Sequence, residues 1–124
     1  MELRILLVED NVLFGDALRE HLVSSGWDVT WATGFKAAVD ILKRSTFDLV
    51  CLDRRLPDGD GFDILRQGLP RCPTLVLSAF DQLSDRLEGE RLGASDYLVK
   101  PFNLDSVVRR LEALLARPPQ ARRA

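Results

Sequence analysis

At 124 residues the chain has the length of one domain and can bury a core without disulfides or a structural metal. With 46% hydrophobic and 29% charged residues, it has the profile of a soluble globular domain, not of a disordered or membrane-spanning chain. Its net charge of −2 argues against a nucleic-acid surface by bulk charge, although Arg117, Arg122 and Arg123 crowd the last eight positions and leave residues 1–116 at −5, fourteen basic against nineteen acidic.

Leu3 to Val8 is a nearly continuous apolar run, the pattern of a strand buried on both faces of a parallel sheet. Glu9, Asp10 and Asn11 break it, and Leu13, Ala17, Leu18, Leu22 and Val23 then recur at helical spacing up to Gly26. Val29 to Ala32 predicts a second strand, and Thr33 is expected to cap a helix bearing Ala37, Ala38, Ile41 and Leu42. A third strand runs from Phe47 to Leu52 and ends at Asp53. The turn residues of Leu56 to Gly61 lead into a short helix from about Phe62 to Gln67. Thr74 to Leu77, Leu83 to Leu92 and Asp96 to Val99 predict a strand, a helix and a strand. Asn103 caps a last helix through about Leu115.

The N-terminus places acids straight after a six-residue apolar run, with no signal-peptide h-region, and no run reaches transmembrane length. Cys51 and Cys72 lack CxxC spacing and read as reduced packing residues of a cytoplasmic protein. Arg117 to Ala124 has prolines and arginines without apolar periodicity, as expected of a linker or tail following a 1–116 domain.

Five strand-then-helix repetitions predict an α/β fold, a parallel sheet with helices on both faces, whose functional crevice lies outside the carboxyl ends of the strands. At those ends stand Glu9 and Asp10, Asp53, Ser78, and Lys100 before Pro101. Singly, each has a plain structural reading as a cap, a turn residue or a solvated charge. Jointly they place three carboxylates, a hydroxyl and a lysine on one sheet edge. Crowded carboxylates raise a pKa or recruit a cation, and an all-oxygen set suits Mg2+ (or Mn2+). A carboxylate nucleophile, a divalent cation, a lysine and a hydroxyl make a site for phosphoryl transfer.

With these residues placed, the chain resembles the receiver domain of bacterial two-component response regulators. The carriers are ILLVEDN (Ile5 to Asn11), LVCLDRRLPDGDGF (Leu49 to Phe62), LVLSAF (Leu75 to Phe80) and GASDYLVKPF (Gly93 to Phe102). The resemblance implies a flavodoxin-like five-stranded sheet of order 2-1-3-4-5. It also implies that Asp53 accepts a phosphoryl group from a histidine kinase. Asp10 and Asp53 would bind Mg2+ directly, Glu9 through water, and the backbone carbonyl of Arg55 would be a further ligand. Ser78 and Lys100 would hold the acyl phosphate, Tyr97 would be the aromatic switch, and Pro101 would follow a cis peptide bond. Arg54 and Arg55 after the acceptor, and Ser78 where Thr is more frequent, depart from the common pattern. Arg55 and Phe80 are expected to tune the lifetime of the phosphorylated form.

The DYLVKPF segment and the helix carrying Arg109 and Arg110 look like the subfamily whose receivers precede a winged-helix DNA-binding domain. That resemblance implies a homodimer through the fourth helix, fifth sheet strand and fifth helix, with Arg86, Arg91, Asp96, Arg110 and Glu112 on the face. DNA would be reached only through a C-terminal domain absent from this chain. The chain would be a regulatory phosphoacceptor, not an enzyme. The rival readings are a stand-alone receiver that signals by docking and an aspartyl-phosphate phosphatase, which would want a second Asp where Arg55 stands. A flavin module and a sensor kinase are disfavoured: Glu9 and Asp10 would repel a phosphate, and His21 lacks a phosphotransfer motif.

Overall fold

The computed structural model describes residues 3–116. In chain order the elements are β1 (Arg4–Val8), α1 (Val12–Ser24), β2 (Asp28–Ala32), α2 (Phe35–Arg44), β3 (Leu49–Asp53), β4 (Arg55–Leu56), β5 (Gly59–Asp60), α3 (Gly61–Arg66), β6 (Thr74–Ser78), α4 (Leu83–Arg91), β7 (Asp96–Val99) and α5 (Leu104–Ala116). Five strands form one parallel sheet in the order β2-β1-β3-β6-β7. Counted by sheet strands alone this is 2-1-3-4-5, the expected order. The segment 117–124, read as a linker, lies outside the described residues.

The apolar runs become strands because both of their faces are covered. Successive side chains of a strand point to opposite sides. Leu6, Val8, Val50, Leu52 and Val76 therefore pack with Ala38, Val39, Phe62 and Ile64 from α2 and α3. Ile5, Leu7, Leu49, Cys51, Leu75 and Leu77 pack with Leu18 and Leu22 of α1 and with Val107, Leu111 and Leu114 of α5. Each such fully buried aliphatic side chain contributes about 1.5–3 kcal/mol of transfer free energy. Both cysteines are free thiols. Burial pushes the Cys72 thiol up to about 12 and raises that of Cys51 further, which suits packing and not reactivity.

Two local expectations change. Thr33 does not cap α2: the N-cap is Gly34, without a side-chain bond, and Asp58 reaches across from the β4–β5 turn instead. Its carboxylate oxygens accept the N–H groups of Phe35 at 2.6 Å and Lys36 at 3.1 Å. A charged acceptor at the positive end of a helix is a stronger partner than a hydroxyl, and these donors hold the Asp58 carboxyl below its usual range. The second change is that the Leu56 to Gly61 turn includes a two-stranded antiparallel hairpin, with Arg55 opposite Asp60 and Leu56 opposite Gly59. Asn103 caps α5 as expected, accepting from Ser106 N–H at 2.8 Å, and the cap of α1 is Asn11, which accepts from Phe14 N–H at 3.0 Å. The Lys100–Pro101 peptide is cis, as expected.

Candidate functional site

The carboxyl ends of β1, β3, β6 and β7 meet at one edge of the sheet. The carboxylates of Glu9, Asp10 and Asp53 each offer an oxygen within 4.8 Å of the others. Glu9 and Asp53 are buried, 2% and 3% exposed, while Asp10 faces solvent. The loop carrying Glu9 is pinned by its own backbone. Glu9 N–H donates to Ala32 O at 3.0 Å, and the Trp31 indole N–H donates to Glu9 O at 2.9 Å. Asn11 N–H donates to the Glu9 carboxylate at 3.0 Å. Trp31 can lie there because Gly15 of α1 has no side chain: a Cβ at that position would stand 2.3 Å from the indole ring.

Burial raises the Glu9 carboxyl from the usual 4.5 to about 8; the N–H of Asn11 opposes the rise, Asp53 reinforces it and Lys100 opposes it. The Asp53 carboxyl is also raised, first by burial, with its hydrogen bond to Glu9, the Lys100 charge and the Arg55 N–H opposing. Burial thus favours the protonated form of Glu9 beside Asp53, and a cation in the cluster would replace that proton. Three carboxylates are hard oxygen donors, the set a small divalent ion takes. In metal-free protein the raised Glu9 value makes the folded state bind a proton that the unfolded state releases near 4.5. This stabilisation is full below about pH 4.5 and is lost as pH rises toward 8. We therefore expect Glu9→Gln, in chelator, to flatten the fall in urea midpoint between pH 5 and 8.5 and to be the more stable protein at the alkaline end. Parallel profiles for the two proteins would count against the proton.

The other expected residues surround these acids. Ser78 ends β6, is 2% exposed, and its Oγ accepts the Phe80 N–H at 3.0 Å, leaving its own O–H to donate elsewhere. Lys100 follows β7 and is exposed; its N–H donates to Ser78 O at 2.8 Å, and its charge acts on both Glu9 and Asp53. Tyr97 is buried, its O–H donating to Phe80 O at 2.8 Å. Arg55 is exposed, its guanidinium 5.1 Å from the centre of the Phe80 ring. His21 is exposed on α1.

The residues expected on a partner face lie on α4, β7 and α5, but several are paired within the chain. Arg110 contacts both carboxylate oxygens of Asp96 at 3.0 Å. Arg91 pairs with Glu88 of its own helix at 2.6 Å, and Arg86 lies 5.7 Å from the Tyr97 ring centre. Glu112 is exposed on α5. Ser106 is taken up in a reciprocal cap with Asn103. Three functional neighbours were not assigned roles from sequence: Trp31, Asp58 and Arg54. Only Asp58 had a local signal, standing before Gly59 in a turn.

A parallel sheet of this order with an acidic cluster at its carboxyl edge defines a doubly wound α/β domain. Residues 5–112 match the response regulator receiver domain family, and the chain belongs to it. It is 47% identical over 118 residues to the transcriptional regulatory protein QseB of Escherichia coli O157:H7, covering 93% of this chain and 54% of that one. It is 46% identical over 119 residues to the response regulator protein PmrA of Pseudomonas aeruginosa, covering 93% and 53%. The chain thus spans about half the length of these relatives. Among solved structures, the non-phosphorylated HemR receiver domain of Leptospira biflexa superposes with a TM-score of 0.87 at 39% identity, covering 94% of this chain and 98% of that one. DrrB of Thermotoga maritima, described as an OmpR/PhoB homologue, gives 0.82 at 26% identity, covering 93% and 53%. Among the described residues no helix is long and apolar enough to cross a membrane.

Proposed function

We propose that this chain is a phosphorylation-dependent switch in which Asp53 takes a phosphoryl group from the phosphohistidine of a sensor kinase. The observation that carries it is the meeting of Glu9, Asp10 and Asp53 with Ser78 and Lys100 at one sheet edge. An Asp53 carboxylate oxygen attacks phosphorus, the P–N bond breaks, and its electron pair returns to the imidazole. Lys100 neutralises charge on a phosphoryl oxygen, and the free Ser78 O–H donates to another. Asp10, Asp53 and the Arg55 carbonyl would hold Mg2+, with Glu9 acting through water. When bound, the ion neutralises charge on the acceptor and the transferring group. Val12 and Leu13, 63% and 86% exposed beside the acidic loop, offer the kinase an apolar surface.

In this reading the chain is a regulatory phosphoacceptor and not an enzyme, it works in the cytoplasm, and Tyr97 is its aromatic switch. Dimers form through α4, β7 and α5, with Asp96 and Arg110 exchanging their pairing across the interface. A C-terminal DNA-binding domain supplies the output in the longer protein, as the QseB and PmrA similarities suggest. Exposed ion pairs contribute about 0–1 kcal/mol each, so they set register more than affinity.

Incubation with acetyl phosphate and Mg2+, followed by intact mass, is expected to give one phosphoryl adduct that chelator prevents. No adduct would overturn the reading. Arg55 lines a small cleft of about 260 Å3 with Arg54 and Phe80. Removal of its cation from the mouth of the site is expected to change the half-life of the adduct by about threefold or more. Identical decay of wild type and Arg55→Ala would sink that role.

A further inference from the structure

The residue after the proposed acceptor is tied to its surroundings through its backbone, two aromatic rings and two carboxylates. Arg54 N–H donates to Leu77 O of β6 at 2.9 Å, and Arg54 O accepts the Gly61 N–H at 2.5 Å, so its backbone is fixed on both sides. Its side chain is only 15% exposed. The guanidinium carbon lies 3.8 Å from the Phe62 ring centre and 4.8 Å from that of Phe80. Nη1 is 3.3 Å from Asp85 Oδ1 in the first turn of α4. Nε is 3.5 Å from Asp60 Oδ1, near enough for charge attraction but without hydrogen-bond alignment. A planar cation with two aromatic rings and two carboxylates is a site that an apolar residue or a lysine could not fill.

The partners of this guanidinium are the reason for assigning it a role. Phe80 is joined to the phosphoryl end of the site, because its N–H donates to Ser78 Oγ, and to β7, because its carbonyl accepts the Tyr97 O–H. Asp85 belongs to α4, whose outer side exposes Leu83 and Leu87. The α4 helix has little apolar anchorage of its own; Gly89 is its buried residue. Two ion pairs tie it to the rest of the fold, Arg66 with Glu88 at 3.1 Å and Arg54 with Asp85 at 3.3 Å, and the second starts next to the proposed acceptor.

We propose that Arg54 is a positioning residue that transmits a change at Ser78 and Phe80 to α4, through the Phe80 stack and the Asp85 ion pair. The proposal rests on the acceptor reading above and goes beyond it in assigning the link. A displacement of Ser78 toward a phosphoryl group pulls on Phe80, Phe80 moves against the guanidinium, and the guanidinium carries Asp85 and the start of α4 with it. Interfaces of this kind pass on motion because packed, ion-paired groups have discrete arrangements.

The test uses beryllium trifluoride with Mg2+ as the phosphoryl stand-in, read by amide hydrogen exchange. In wild type, addition is expected to change exchange both around Asp53 and across residues 80–92. In Arg54→Met the change around Asp53 persists and the change in α4 shrinks by about threefold or more, the scale of one partly buried ion pair. Asp85→Asn, on the helix and outside the acidic site, is expected to give the same loss, and the double variant no further loss. General destabilisation would raise exchange in both states and leave their difference unchanged. An undiminished α4 response in both single variants, or a wild type that binds the probe without any response in α4, overturns the link. A wild type that takes no probe at Asp53 overturns the acceptor reading instead.

Discussion

Asp53→Asn is expected to form no phosphoryl adduct with acetyl phosphate and Mg2+ under conditions in which the wild type is labelled. The substitution keeps the shape of the side chain and removes the anionic oxygen that would attack phosphorus, so the loss should be complete within detection. It should not be a folding defect. Asp53 is buried at the end of β3, and burial raises its carboxyl pKa, so the ionised form is costly there and a neutral amide relieves that cost. The melting temperature of the variant without metal is expected to equal or exceed that of wild type at neutral pH. Loss of a carboxylate from the cluster should also weaken Mg2+ affinity by roughly tenfold or more, since even the outer partners of metal ligands are worth about 10–100-fold. Calorimetric titration with Mg2+ reads that effect separately from the mass measurement. A labelled Asp53→Asn protein would place the acceptor elsewhere.

The second large effect is expected at Gly61, the first residue of α3. A Cβ there would stand 2.6 Å from the backbone oxygen of Asp53, 3.0 Å from Arg54 Cα and 3.2 Å from Leu52 Cγ. Two of these are backbone atoms of the acceptor strand and its exit, and they cannot swing aside as a side-chain tip can. The Gly61 N–H also bonds Arg54 O, so relief by sliding α3 away breaks a hydrogen bond. Gly61→Ala is therefore expected to cost about 1–3 kcal/mol through overpacking. This corresponds to a melting temperature roughly 3–15 °C lower for a domain of this size. Because the displaced atoms belong to Asp53 and Arg54, phosphoryl uptake should slow in the protein that remains folded. Thermal unfolding and adduct formation on the same sample test both parts. An unchanged melting temperature would show that the acceptor strand yields without cost.

Much of the site was legible because in a parallel sheet buried on both faces the strands are read from their apolar runs, and the polar residue that ends each run is read with them. Glu9, Asp10, Asp53, Ser78 and Lys100 follow from four such endings, and the structure brings all five residues to one edge. Helix ends were less uniformly legible. Asn11 and Asn103 cap through bonds to the chain three residues on, a local geometry. The cap of α2 is Asp58, twenty-three positions from Phe35, and Thr33 beside the helix is not used. The short hairpin between β3 and α3 lacks enough residues for any periodicity to appear.

The order of apolar runs and the chemistry of their endings were determined by the amino-acid sequence itself, because burial on two faces and the need for a polar exit from a strand are local demands on residue type. The tertiary structure alone decided which acids are buried and which are wet, why Glu9 keeps its proton to about 8 while its neighbour Asp10 faces solvent, and that Trp31 holds the Glu9 loop. It also decided that Arg54 is no solvated charge beside the acceptor but a cation stacked on Phe62 and Phe80 and paired with α4. These outcomes depend on desolvation and on contacts between residues far apart in the chain, and both quantities exist only once the helices have covered the sheet.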